Sequence, residues 1–576
     1  MDIRKNEKLS ILNHSCAHLM AHAVKRLYPE ARFWVGPTIE SGFYYDIDLN
    51  DKVIKDSDLP EIEKMMKKIA KEAKLIKRIE LTKKEALEMF KDDPYKIDLI
   101  NNMSDDEVIS AYQQAEFIDL CRGPHVENTK MIKHFRLLKV SGAYFKGDSN
   151  NKMLQRIYGI CFENEEDLTN YLHWLEEAKL RDHKKLGKEL GLFMISEYGP
   201  GMPFWLPNGM ILRNALENYW YKIHALKGYH FTKTPIMLSK ELWELSGHWD
   251  NYQENMYTSK VDDKDFAIKP MNCPGGMLVF KNGFFSYRDL PYRLGELGLV
   301  HRHEASGALN GLFRVRSFTQ DDAHIFMRHD QIVDEIIDLI SLVDEIYSLF
   351  NLSYSIELST RPEHFIGEIS DWDKSEDALK EAMNRINKPF RINEGDGAFY
   401  GPKLDFHIRD SLNRVWQCGT IQLDMNLPER FDLTYVDFEG NKVRPVMLHR
   451  AIFGSVERFI GILIEHYAGA FPLWLSPKQI MIIPVHPELH NDYASKVLDR
   501  LSHLGYRVFL DSRNEKLGYR LREAQVNKIP IQLVIGDSEV ENGTVNVREH
   551  GSKDSVSLSL DDFINNLEEN YINPLK

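Results

Sequence analysis

Residue types and spacing suited to holding a nucleotide occur in the segment 300–326, V-H-R-H-E-A-S-G-A-L-N-G-L-F-R-V-R-S-F-T-Q-D-D-A-H-I-F. Arg302 and Glu304 lie two residues apart, on one face of an extended chain, before a glycine-bearing loop. Arg314 and Phe318 follow on the return, so the segment predicts a long antiparallel hairpin. Paired arginines can clamp a phosphate, and a phenylalanine can stack on a base. A solvated, salt-bridged hairpin is the alternative interpretation.

A second candidate for phosphate chemistry is an arginine at the start of an apolar helix. Apolar residues recur with helical spacing from Val456 to Tyr467, which predicts a largely buried helix. Arg458 falls in its first turn, where burial of the charge is costly without a partner. ATP phosphates or the face of adenine would be such a partner, and a salt bridge to a carboxylate is the alternative. Gly454, just before the helix, lets the backbone approach a ligand closely.

Histidines and a cysteine at intervals of four residues form another set. His14 and His18 lie one turn apart in a segment predicted to be helical from Ile11 to Leu27, and Cys121 and His125 have the same spacing. Four such ligands suit a tetrahedral structural zinc. Alternatively, the imidazoles act as general acid and base in a metal-free hydrolytic site. A third interpretation is a group of ordinary structural histidines.

The composition is that of a soluble globular protein. The 576 residues are too many for one core, so we expect three or four domains. The first thirty residues lack the long apolar stretch of a signal peptide, and no run of about 18 apolar residues follows. We therefore expect neither a signal peptide nor a membrane span. Only five cysteines are present, which favours a reducing, cytoplasmic location. Because the net charge is 73 − 87 = −14, any nucleic-acid surface must be a local basic patch.

The elements that must position these residues change in type along the chain. The segment from Glu163 to Gly191 has an amphipathic pattern and predicts one connecting helix. A helix is expected around Arg213 to Leu226, and the return of the 300–326 hairpin is expected to run through Phe313 and Val315.

After about residue 475, strands and helices alternate, which predicts a small doubly wound sheet. The expected elements are strands at Gln479–Val485, Arg507–Leu510 and Ile531–Ile535, helices at Tyr493–Leu504 and Leu517–Val526, and a hairpin running to Val547. Four basic residues in this part, Arg513, Lys516, Arg520 and Arg522, predict a local cationic strip. A solvated helix face is the alternative.

Several of these motifs resemble those of a known family. The 300–326 hairpin resembles motif 2 of the class II aminoacyl-tRNA synthetases, Gly454 to Arg458 resembles motif 3, and G-Y-H-F-T-K-T-P-I-M resembles motif 1. More specific motifs are similar to those of threonyl-tRNA synthetases: M-N-C-P-G-G, Q-D-D-A-H-I-F and H-R-A-I-F-G-S-V-E-R. The resemblance runs from about Leu9 to about Asn566. Many bacterial members begin with a small ubiquitin-like domain, and we expect a form without it.

The resemblance implies an α+β multidomain fold. It places an α+β editing domain at 1–164, a linker helix at 165–181, a class II catalytic domain with an antiparallel sheet and flanking helices at 182–474, and an α/β anticodon-binding domain at 475–576. The implied function is ATP-dependent activation of L-threonine, transfer to tRNA(Thr), and hydrolysis of mischarged Ser-tRNA(Thr). Motif 1 implies a homodimer.

The resemblance also implies roles in the catalytic domain. Arg302 would hold the α-phosphate, Glu304 would contact adenine, and Phe318 would stack on it. Arg314 and Arg458 would neutralise the outer phosphates together with Mg2+. One zinc per subunit would be held by Cys273, His324 and His449, an open set of three ligands. The implied substrate-binding residues are Gln320, Asp322, Tyr400, Lys403, Gln417, Thr420 and Gln422, with Asp322 accepting a hydrogen bond from the threonine hydroxyl.

In the outer domains the resemblance selects among the interpretations left open above. Family members edit mainly without metal, which favours the hydrolytic interpretation of the set at 14, 18, 121 and 125, with an imidazole of ordinary pKa, about 6.5, as base. Asp119 and Lys96 match further positions of that pocket. The implied anticodon-contacting residues are Asn514, Arg522, Glu539 and Arg548.

Two rival functions remain at this stage. A prolyl or seryl synthetase is one, and the set Cys273, His324 and His449 argues against both. A non-enzymatic tRNA- or mRNA-binding regulator is the other, and the intact arginines of motifs 2 and 3 argue against it.

Overall fold

The computed structural model describes residues 2–104, 107–148, 150–571 and 573–575. The chain divides into two compact units, Met1–Glu177 and Ala178–Lys576. Within the described residues, no helix is long and apolar enough to cross a membrane.

The first unit is a mixed α+β structure. Its helices are α1 (Glu7–Leu27), α2 (Leu59–Lys71), α3 (Lys83–Met89) and α4 (Pro94–Asn101), and α5 (Glu165–Arg181) crosses the boundary between the units. Its strands are β1 (Arg32–Phe33), β2 (Thr38–Ile39), β3 (Gly42–Asp48), β4 (Ile76–Leu81), β5 (Ile109–Gln114), β6 (Phe117–Leu120), β7 (His134–Tyr144) and β8 (Met153–Phe162). One sheet has the order β1-β3-β8-β7 with β2 on β3, and another has the order β4-β5-β6.

Helix α1 is held against the larger sheet of this unit by one buried amide. Asn13 donates from Nδ2 to the Cys161 carbonyl at 2.9 Å and accepts from the Cys161 amide at 2.9 Å. Both bonds satisfy backbone groups of β8, so the side-chain amide pairs with the strand as a neighbouring backbone amide would. The predicted helix over Ile11 to Leu27 is confirmed and begins four residues earlier, where Asn6 caps it by accepting from the Leu9 amide.

The second unit contains the remaining elements. Its helices are α6 (His183–Glu189), α7 (Pro207–Leu226), α8 (Lys240–Leu245), α9 (His248–Tyr252), α10 (Cys273–Lys281), α11 (Ile332–Leu349), α12 (Ile369–Arg385), α13 (Leu427–Arg430), α14 (Val456–His466), α15 (Pro487–His503), α16 (Leu517–Val526), α17 (Asp537–Asn542) and α18 (Leu560–Asn570). Its strands are β9 (Phe193–Ile195), β10 (Pro203–Trp205), β11 (His230–Phe231), β12 (Met237–Ser239), β13 (Tyr257–Val261), β14 (Lys264–Ile268), β15 (Tyr292–His301), β16 (Ser317–Met327), β17 (Ser353–Ser359), β18 (Phe390–Asn393), β19 (Lys403–Arg409), β20 (Val415–Asp424), β21 (Tyr435–Val436), β22 (Lys442–Val443), β23 (Val446–Ala451), β24 (Ile480–Pro484), β25 (Val508–Leu510), β26 (Ile531–Ile535), β27 (Thr544–Glu549) and β28 (Val556–Ser559).

The main sheet of this unit has the order β11-β15-β16-β23-β20-β19-β17-β18. Its pairs from β15 through β17 are antiparallel. Apolar residues of α11 and α14 are buried in the same core as the inner face of this sheet. Burial of one apolar face leaves the other for polar side chains. The predicted antiparallel sheet with flanking helices is therefore confirmed.

The C-terminal part has the predicted doubly wound character. Strands β25, β24 and β26 are parallel, and β27 and β28 continue the sheet antiparallel. The expected hairpin running to Val547 is wrong in its connection, because α17 stands between β26 and β27. A direct hairpin joins β27 to β28 instead.

Two further expectations differ from the structure. The single helix expected from Glu163 to Gly191 is two helices, because the Asp182 side chain caps a new one by accepting from the Lys184 and Lys185 amides. In the hairpin of motif 2, β15 and β16 pair as expected, but Phe313 and Val315 lie in the loop between them.

Candidate functional site

A cavity of about 550 Å³ opens on the polar side of the main sheet. It is lined from β16, β19, β20, the loop before β16 and the start of α14. The predicted nucleotide and substrate residues that line it are Arg302, Glu304, Arg314, Phe318, Gln320, Lys403, Gln417, Thr420, Gln422 and Arg458. The fold thus brings together residues that lie in four separate segments of the sequence.

The strand register explains how the side chains reach one face. Residues two apart on a strand share a face, as do Phe318 and Gln320 on β16 and Thr420 and Gln422 on β20. Gln417 lies three residues before Thr420 and would face the other side of a regular strand. The β19–β20 pairing, however, shifts register between Phe406 and His407. This bulge brings Gln417 into the cavity, where its side-chain amide nitrogen, Nε2, donates to Asp405 Oδ1 at 2.8 Å.

Arg302 and Phe318 lie face to face across the hairpin. The Arg302 guanidinium carbon is 5.1 Å from the centre of the Phe318 ring, and Nε donates to the Pro270 carbonyl at 3.1 Å. Across the loop, Arg314 Nε lies 2.9 Å from Glu304 Oε2. The salt bridge of the alternative interpretation is therefore present, but the Arg314 side chain is 59% exposed. An ion pair so exposed contributes little to the stability of the fold, and it leaves the arginine available to an anionic ligand.

Arg458 is held at the start of α14 with its guanidinium toward the cavity. Ser455 caps the helix by accepting from the Arg458 amide at 3.0 Å. Across the described part of the chain, Arg458 Nε is buried without a hydrogen-bond partner, and no ion pair involves this residue. The neighbouring Glu457 takes the salt bridge instead, with Arg213 at 2.6 Å. This arrangement favours an anionic ligand over the salt-bridge alternative for Arg458.

A buried aspartate that the sequence did not single out holds the loop before α14. Asp321 accepts hydrogen bonds from the amides of Ile452, Phe453 and Gly454, each at 2.9 Å. Gly454 has φ +76°, and a Cβ there would lie 2.5 Å from the Cys418 carbonyl oxygen. Only glycine fits this turn, which brings backbone to the cavity wall.

Beside this cavity, Cys273, His324 and His449 form a buried cluster whose ligand atoms lie within 4.8 Å of one another. His324 stands directly opposite His449 in the pairing of β16 with β23, and Cys273 is the first residue of α10. The three predicted metal-binding residues are thus brought together by sheet register and a helix start, although they are far apart in sequence.

The donor atoms of this cluster suit a metal ion. His449 Nε2 donates to Asp424 at 2.8 Å, which leaves Nδ1 facing the cluster. Among the described residues, His449 Nδ1 and His324 Nε2 are buried without a hydrogen-bond partner. Burial alone would raise the pKa of the Cys273 thiol, but His449 and His324 lower it to about 7. A thiolate and two imidazoles, one oriented by a carboxylate, are typical of a zinc site.

Two predicted substrate residues border this cluster. Asp322 accepts from Asn272 Nδ2 at 3.2 Å, and the Tyr400 ring centre is 5.2 Å from that of His449. Burial raises the pKa of Asp322 to about 6, against the opposing effects of His449 and Asn272. Asp322 is therefore mainly a carboxylate at neutral pH and can accept a hydrogen bond.

Three residues of this region escaped the sequence analysis: Asp424, Asn272 and His248. His248 is buried, with Nε2 3.1 Å from the Met271 sulfur, and burial together with His449 lowers its pKa to about 4. No sequence spacing identifies these three residues as part of a site. Asn272, however, belongs to the motif M-N-C-P-G-G, which could have pointed to it.

The first unit contains a second Cys/His cluster beside a cavity of about 470 Å³. Cys121 Sγ lies 3.2 Å from both His14 Nε2 and His125 Nε2, and the ligand atoms of these three residues and His18 all lie within 4.8 Å. Ser15 donates its hydroxyl proton to the Ile11 carbonyl and so accepts from His125 Nδ1 at 3.1 Å. His125 Nε2 is then an acceptor that faces the Cys121 thiol.

The two additional residues predicted for this pocket form a buried ion pair. Lys96 Nζ lies 2.6 Å from Asp119 Oδ1 and donates to the Trp34 carbonyl at 2.9 Å. Tyr45, which the sequence analysis missed, donates its hydroxyl to Asp119. His18 Nδ1 is 3.7 Å from the same carboxylate. The acid therefore links the lysine to the histidine cluster.

Burial changes the protonation of this cluster from the ordinary values. It lowers the pKa of His14, His18 and His125, and repulsion between the imidazolium forms of neighbouring histidines, with Lys96 added for His18, lowers the pKa of the last two further. Burial raises the pKa of Cys121 to about 12. The expected base of ordinary pKa is thus absent from the described cluster, which consists of uncharged imidazoles and a protonated thiol. Cys121 is a poor metal ligand in this state, in contrast to Cys273.

The predicted anticodon residues lie on the C-terminal sheet and its helices. Asn514 and Arg522 are exposed, Glu539 accepts from the Gly536 amide, and Arg548 donates to the carbonyls of Ser552 and Lys553. Within the described residues, no hydrogen bond or ion pair joins one of these four to another.

The predicted cationic strip is wrong in two of its members. Arg520 is buried and donates to the carbonyls of Val485, Asp511 and Glu515, so it holds the fold together. Arg513 is paired with Asp511 and Glu523. The sequence predicted a strip from four basic residues in one short segment, but backbone carbonyls at the ends of β24 and β25 accept hydrogen bonds from one of them, Arg520.

Three family models match the chain. The model described as "tRNA synthetase class II core domain (G, H, P, S and T)" matches residues 257–467. "Anticodon binding domain" matches 479–570, and "Threonyl and Alanyl tRNA synthetase second additional domain" matches 109–158.

Curated relatives and a solved structure agree with these models. The chain is 56% identical over 558 residues to the threonine–tRNA ligase of Acetivibrio thermocellus, covering 96% of this chain and 88% of that one. It is also 56% identical over 560 residues to the threonine–tRNA ligase of Clostridioides difficile, covering 97% and 87%. The crystal structure of the RNA binding domain of threonyl-tRNA synthetase from Cryptosporidium parvum Iowa II matches with TM-score 0.65 and 40% identity, over 67% of this chain and 98% of that one.

The lowered pKa values in the first unit predict a loss of stability in mild acid. Below the ordinary histidine value of about 6.5, the unfolded chain binds protons that buried His14 and His18 do not, at a cost of up to about 1.4 kcal/mol per group and pH unit. The unfolding temperature should therefore drop between pH 7.5 and pH 5.5, and less so in the double variant His14→Asn, His18→Asn. His173→Asn, which changes an exposed histidine, should behave like the parent. Equal drops in parent and double variant would contradict the assignment.

Proposed function

The chain belongs to the threonine–tRNA ligase family, and from this membership we propose which of its residues perform each step. The cavity beside the Cys273 cluster is the observation that supports the proposal most directly, because it gathers the arginines, the aromatic ring and the polar strand residues in one place. We propose the catalytic domain at 182–474, the editing domain at 1–164, the linker helix at 165–181 and the anticodon-binding domain at 475–576.

The first step is activation of threonine by ATP. A carboxylate oxygen of threonine attacks the α-phosphorus, the bond to pyrophosphate breaks, and threonyl adenylate forms. This in-line exchange needs positioning and neutralisation of charge more than a protein nucleophile. Arg302 holds the α-phosphate, and its stacking on Phe318 leaves the other face of that ring for adenine. Arg314 and Arg458 neutralise the outer phosphates, together with the Mg2+ that accompanies ATP.

Threonine binds at the Cys273 cluster. We assign a zinc ion to Cys273, His324 and His449, and the buried donor atoms without partners support this ligand set. Held there, a zinc ion would supply Lewis-acid chemistry for the amine and the hydroxyl of threonine. The Asp322 carboxylate accepts from that hydroxyl, and Asn272 holds the carboxylate in place. The remaining residues of the pocket are Gln320, Tyr400, Lys403, Gln417, Thr420 and Gln422.

This pocket accounts for the need for a second site. Valine cannot satisfy Asp322, and a site built to bond a hydroxyl rejects such an analogue by up to about 10⁴–10⁵. Serine keeps the hydroxyl and lacks one methyl, which packing rejects by only about 10–200-fold. Mischarged Ser-tRNA must therefore be removed by hydrolysis.

We assign this hydrolysis to the Cys121 cluster of the first unit, without metal. An uncharged imidazole, His14 or His18, accepts a proton from a water whose oxygen attacks the ester carbonyl carbon. The ester bond between serine and tRNA breaks, and the imidazolium returns the proton to the leaving ribose oxygen, which releases serine and tRNA. Lys96, held by Asp119, supplies positive charge near the developing oxyanion. The high pKa of Cys121 supports a role as thiol rather than as metal ligand.

The C-terminal domain is proposed to contact the anticodon through Asn514, Arg522, Glu539 and Arg548. We also propose a homodimer formed by the motif 1 region. Apolar side chains of that region are partly exposed in the single chain: Met194, Ile195, Phe204, Met210, Tyr221, Phe231, Ile236 and Met237. The described cysteines are free, which supports a cytoplasmic location, where ATP and tRNA are available.

Cys273→Ala should remove the bound zinc and threonine activation together. Metal analysis of the purified parent should give one zinc per chain, and the variant should bind at least about hundredfold more weakly. Threonine-dependent exchange of pyrophosphate into ATP should fall in parallel, and in the parent valine and proline should support little exchange. Cys161→Ala changes an equally buried cysteine in the first unit and should keep both properties. Full zinc and full exchange in Cys273→Ala would refute the ligand set.

The double variant His14→Asn, His18→Asn should separate editing from charging. Its threonylation rate should remain near that of the parent, while hydrolysis of Ser-tRNA(Thr) should fall by about 10²–10⁴. His22→Asn is the matched control, because His22 lies on the same helix but bonds to Gln114 and Glu116 outside the cluster. A strong chelator should leave hydrolysis unchanged. Unimpaired clearance by the double variant would show that these histidines are not the editing base, and chelator sensitivity would show that a metal takes part.

The dimer proposal predicts a mass of about twice 67.2 kDa by light scattering at micromolar concentration. Tyr221→Asp combined with Phe231→Asp places charges on two exposed, mutually packed rings and should shift the mass toward the monomer. Leu504→Asp, at a similarly exposed position in the C-terminal part, should stay dimeric. A monomeric and fully active parent would contradict the proposal.

A further inference from the structure

A third cluster of potential ligands lies outside both sites described above. Asp182, His183 and Glu465 have ligand atoms within 4.8 Å of one another, and His183 and Glu465 are buried. Glu465 belongs to the last turns of α14, and His183 is the first residue of α6. The composition alone would suit a metal, so the hydrogen bonds must decide what the cluster does.

Both ring nitrogens of His183 are already engaged. The amide of Leu312 donates to His183 Nε2 at 3.0 Å, so that nitrogen must be the acceptor. Nδ1 then carries the proton and donates to Glu465 Oε1 at 2.6 Å. Asp182 uses its carboxylate to cap α6. With no lone pair left on the imidazole for an ion, the cluster is a hydrogen-bond relay rather than a metal site.

The carboxylate end of the relay is itself firmly held. Glu465 Oε1 accepts a second bond, from the His183 amide at 3.0 Å, and its other oxygen forms an ion pair with Arg414 at 2.5 Å. Arg414 in turn pairs with Asp410 at 2.6 Å. A carboxylate held on both sides orients the imidazole and selects its Nδ1-protonated tautomer.

The other end of the relay is the loop between the two motif 2 strands. Gly311 has φ +50°, and a Cβ on it would overlap His183 Nε2, so glycine is required for the close approach. Leu312 is fully buried, and the next ring, Phe313, packs 4.0 Å from the His183 ring and 4.3 Å from Trp416. The imidazole thus anchors this stretch through one hydrogen bond and one ring contact.

The anchored stretch leads directly into the nucleotide cavity. Phe313, Arg314 and Val315 line that cavity, and Arg314 follows the anchored amide by two residues. Arg314 itself is 59% exposed and, among the residues that the structure describes, its side chain pairs only with Glu304, at 2.9 Å, so its own contacts restrain it weakly. The backbone before it must therefore set its position.

We propose that His183 is a positioning residue for the nucleotide site: through the Leu312 amide, and oriented by Glu465, it fixes the motif 2 loop so that Arg314 meets the outer phosphates. This inference rests on the proposed role of the cavity in binding ATP. His183 contacts neither ATP nor threonine. Its loss should accordingly weaken ATP binding and leave threonine binding alone.

The test compares KM values in threonine-dependent pyrophosphate exchange. His183→Phe keeps a ring against Phe313 but removes the acceptor for the Leu312 amide, and should raise the KM for ATP about tenfold, the equivalent of one lost hydrogen bond. The KM for threonine should stay within twofold. His183→Gln restores an acceptor near the position of Nε2 and should recover most of the ATP affinity. A merely structural role would lower the active fraction, and thus kcat, without this split or this rescue.

Two further variants complete the design. Asp182→Asn should match the parent, because asparagine caps a helix as well as aspartate and leaves the relay intact. Gly311→Ala adds a Cβ that clashes with His183 Nε2, so it displaces the loop from the imidazole and should raise the KM for ATP as His183→Phe does. It tests the inference if His183→Phe does not fold. An ATP KM within twofold of the parent in folded His183→Phe, or in Gly311→Ala where only that variant folds, would overturn the inference. A parent without threonine-dependent exchange would instead contradict the proposed function.

Discussion

The pairing of β16 with β23 is the interaction on which the cavity and the Cys273 cluster of the second unit depend. It places His324 directly opposite His449, and the neighbouring pair of β20 with β23 adds Gln422 to the same row. Because side chains alternate along a strand, a slip of one residue would turn all three into the apolar core. The same register buries Asp321 beneath the loop that carries Gly454. The Cys273 cluster and the cavity that we propose for ATP and threonine are therefore consequences of one register.

Buried carboxylates keep the loops around this sheet in place. Asp321 binds three successive amides before α14, Glu457 joins Arg213 to the Thr319 amide, and Glu465 orients His183. Each carboxylate is buried and would be costly without its partners. Arg314 and Arg458, which we propose to neutralise phosphates, differ, since they are left with weak or missing partners in the described structure. Hydrogen bonds within the chain thus hold the loops, and these two guanidinium groups remain available to the proposed ligand.

Most element types, and the family resemblance on which the proposed site rests, followed from the sequence alone. Helical spacing predicted α1 and α14, and α16 and β26 have the bounds that the pattern indicated. Motif residues predicted a hairpin suited to binding a nucleotide, and the prediction of its antiparallel pairing is confirmed. These features are local: spacing of apolar residues, caps and glycines act within a few turns of chain, so a single sequence contains the information for them. The resemblance to the synthetases rested on short sequence motifs, which are local in the same sense.

Long-range contacts decided what the sequence could not. Cys273 and Cys121 are both cysteines near histidines, yet the first has its pKa lowered to about 7 by two imidazoles and the second has it raised to about 12 by burial. Arg520, one of four basic residues in a short segment, is buried and donates to backbone carbonyls. His183 gained its role from Leu312, which is distant in sequence. Protonation, burial and partners depend on what packs against a residue, and that is set by the tertiary structure alone.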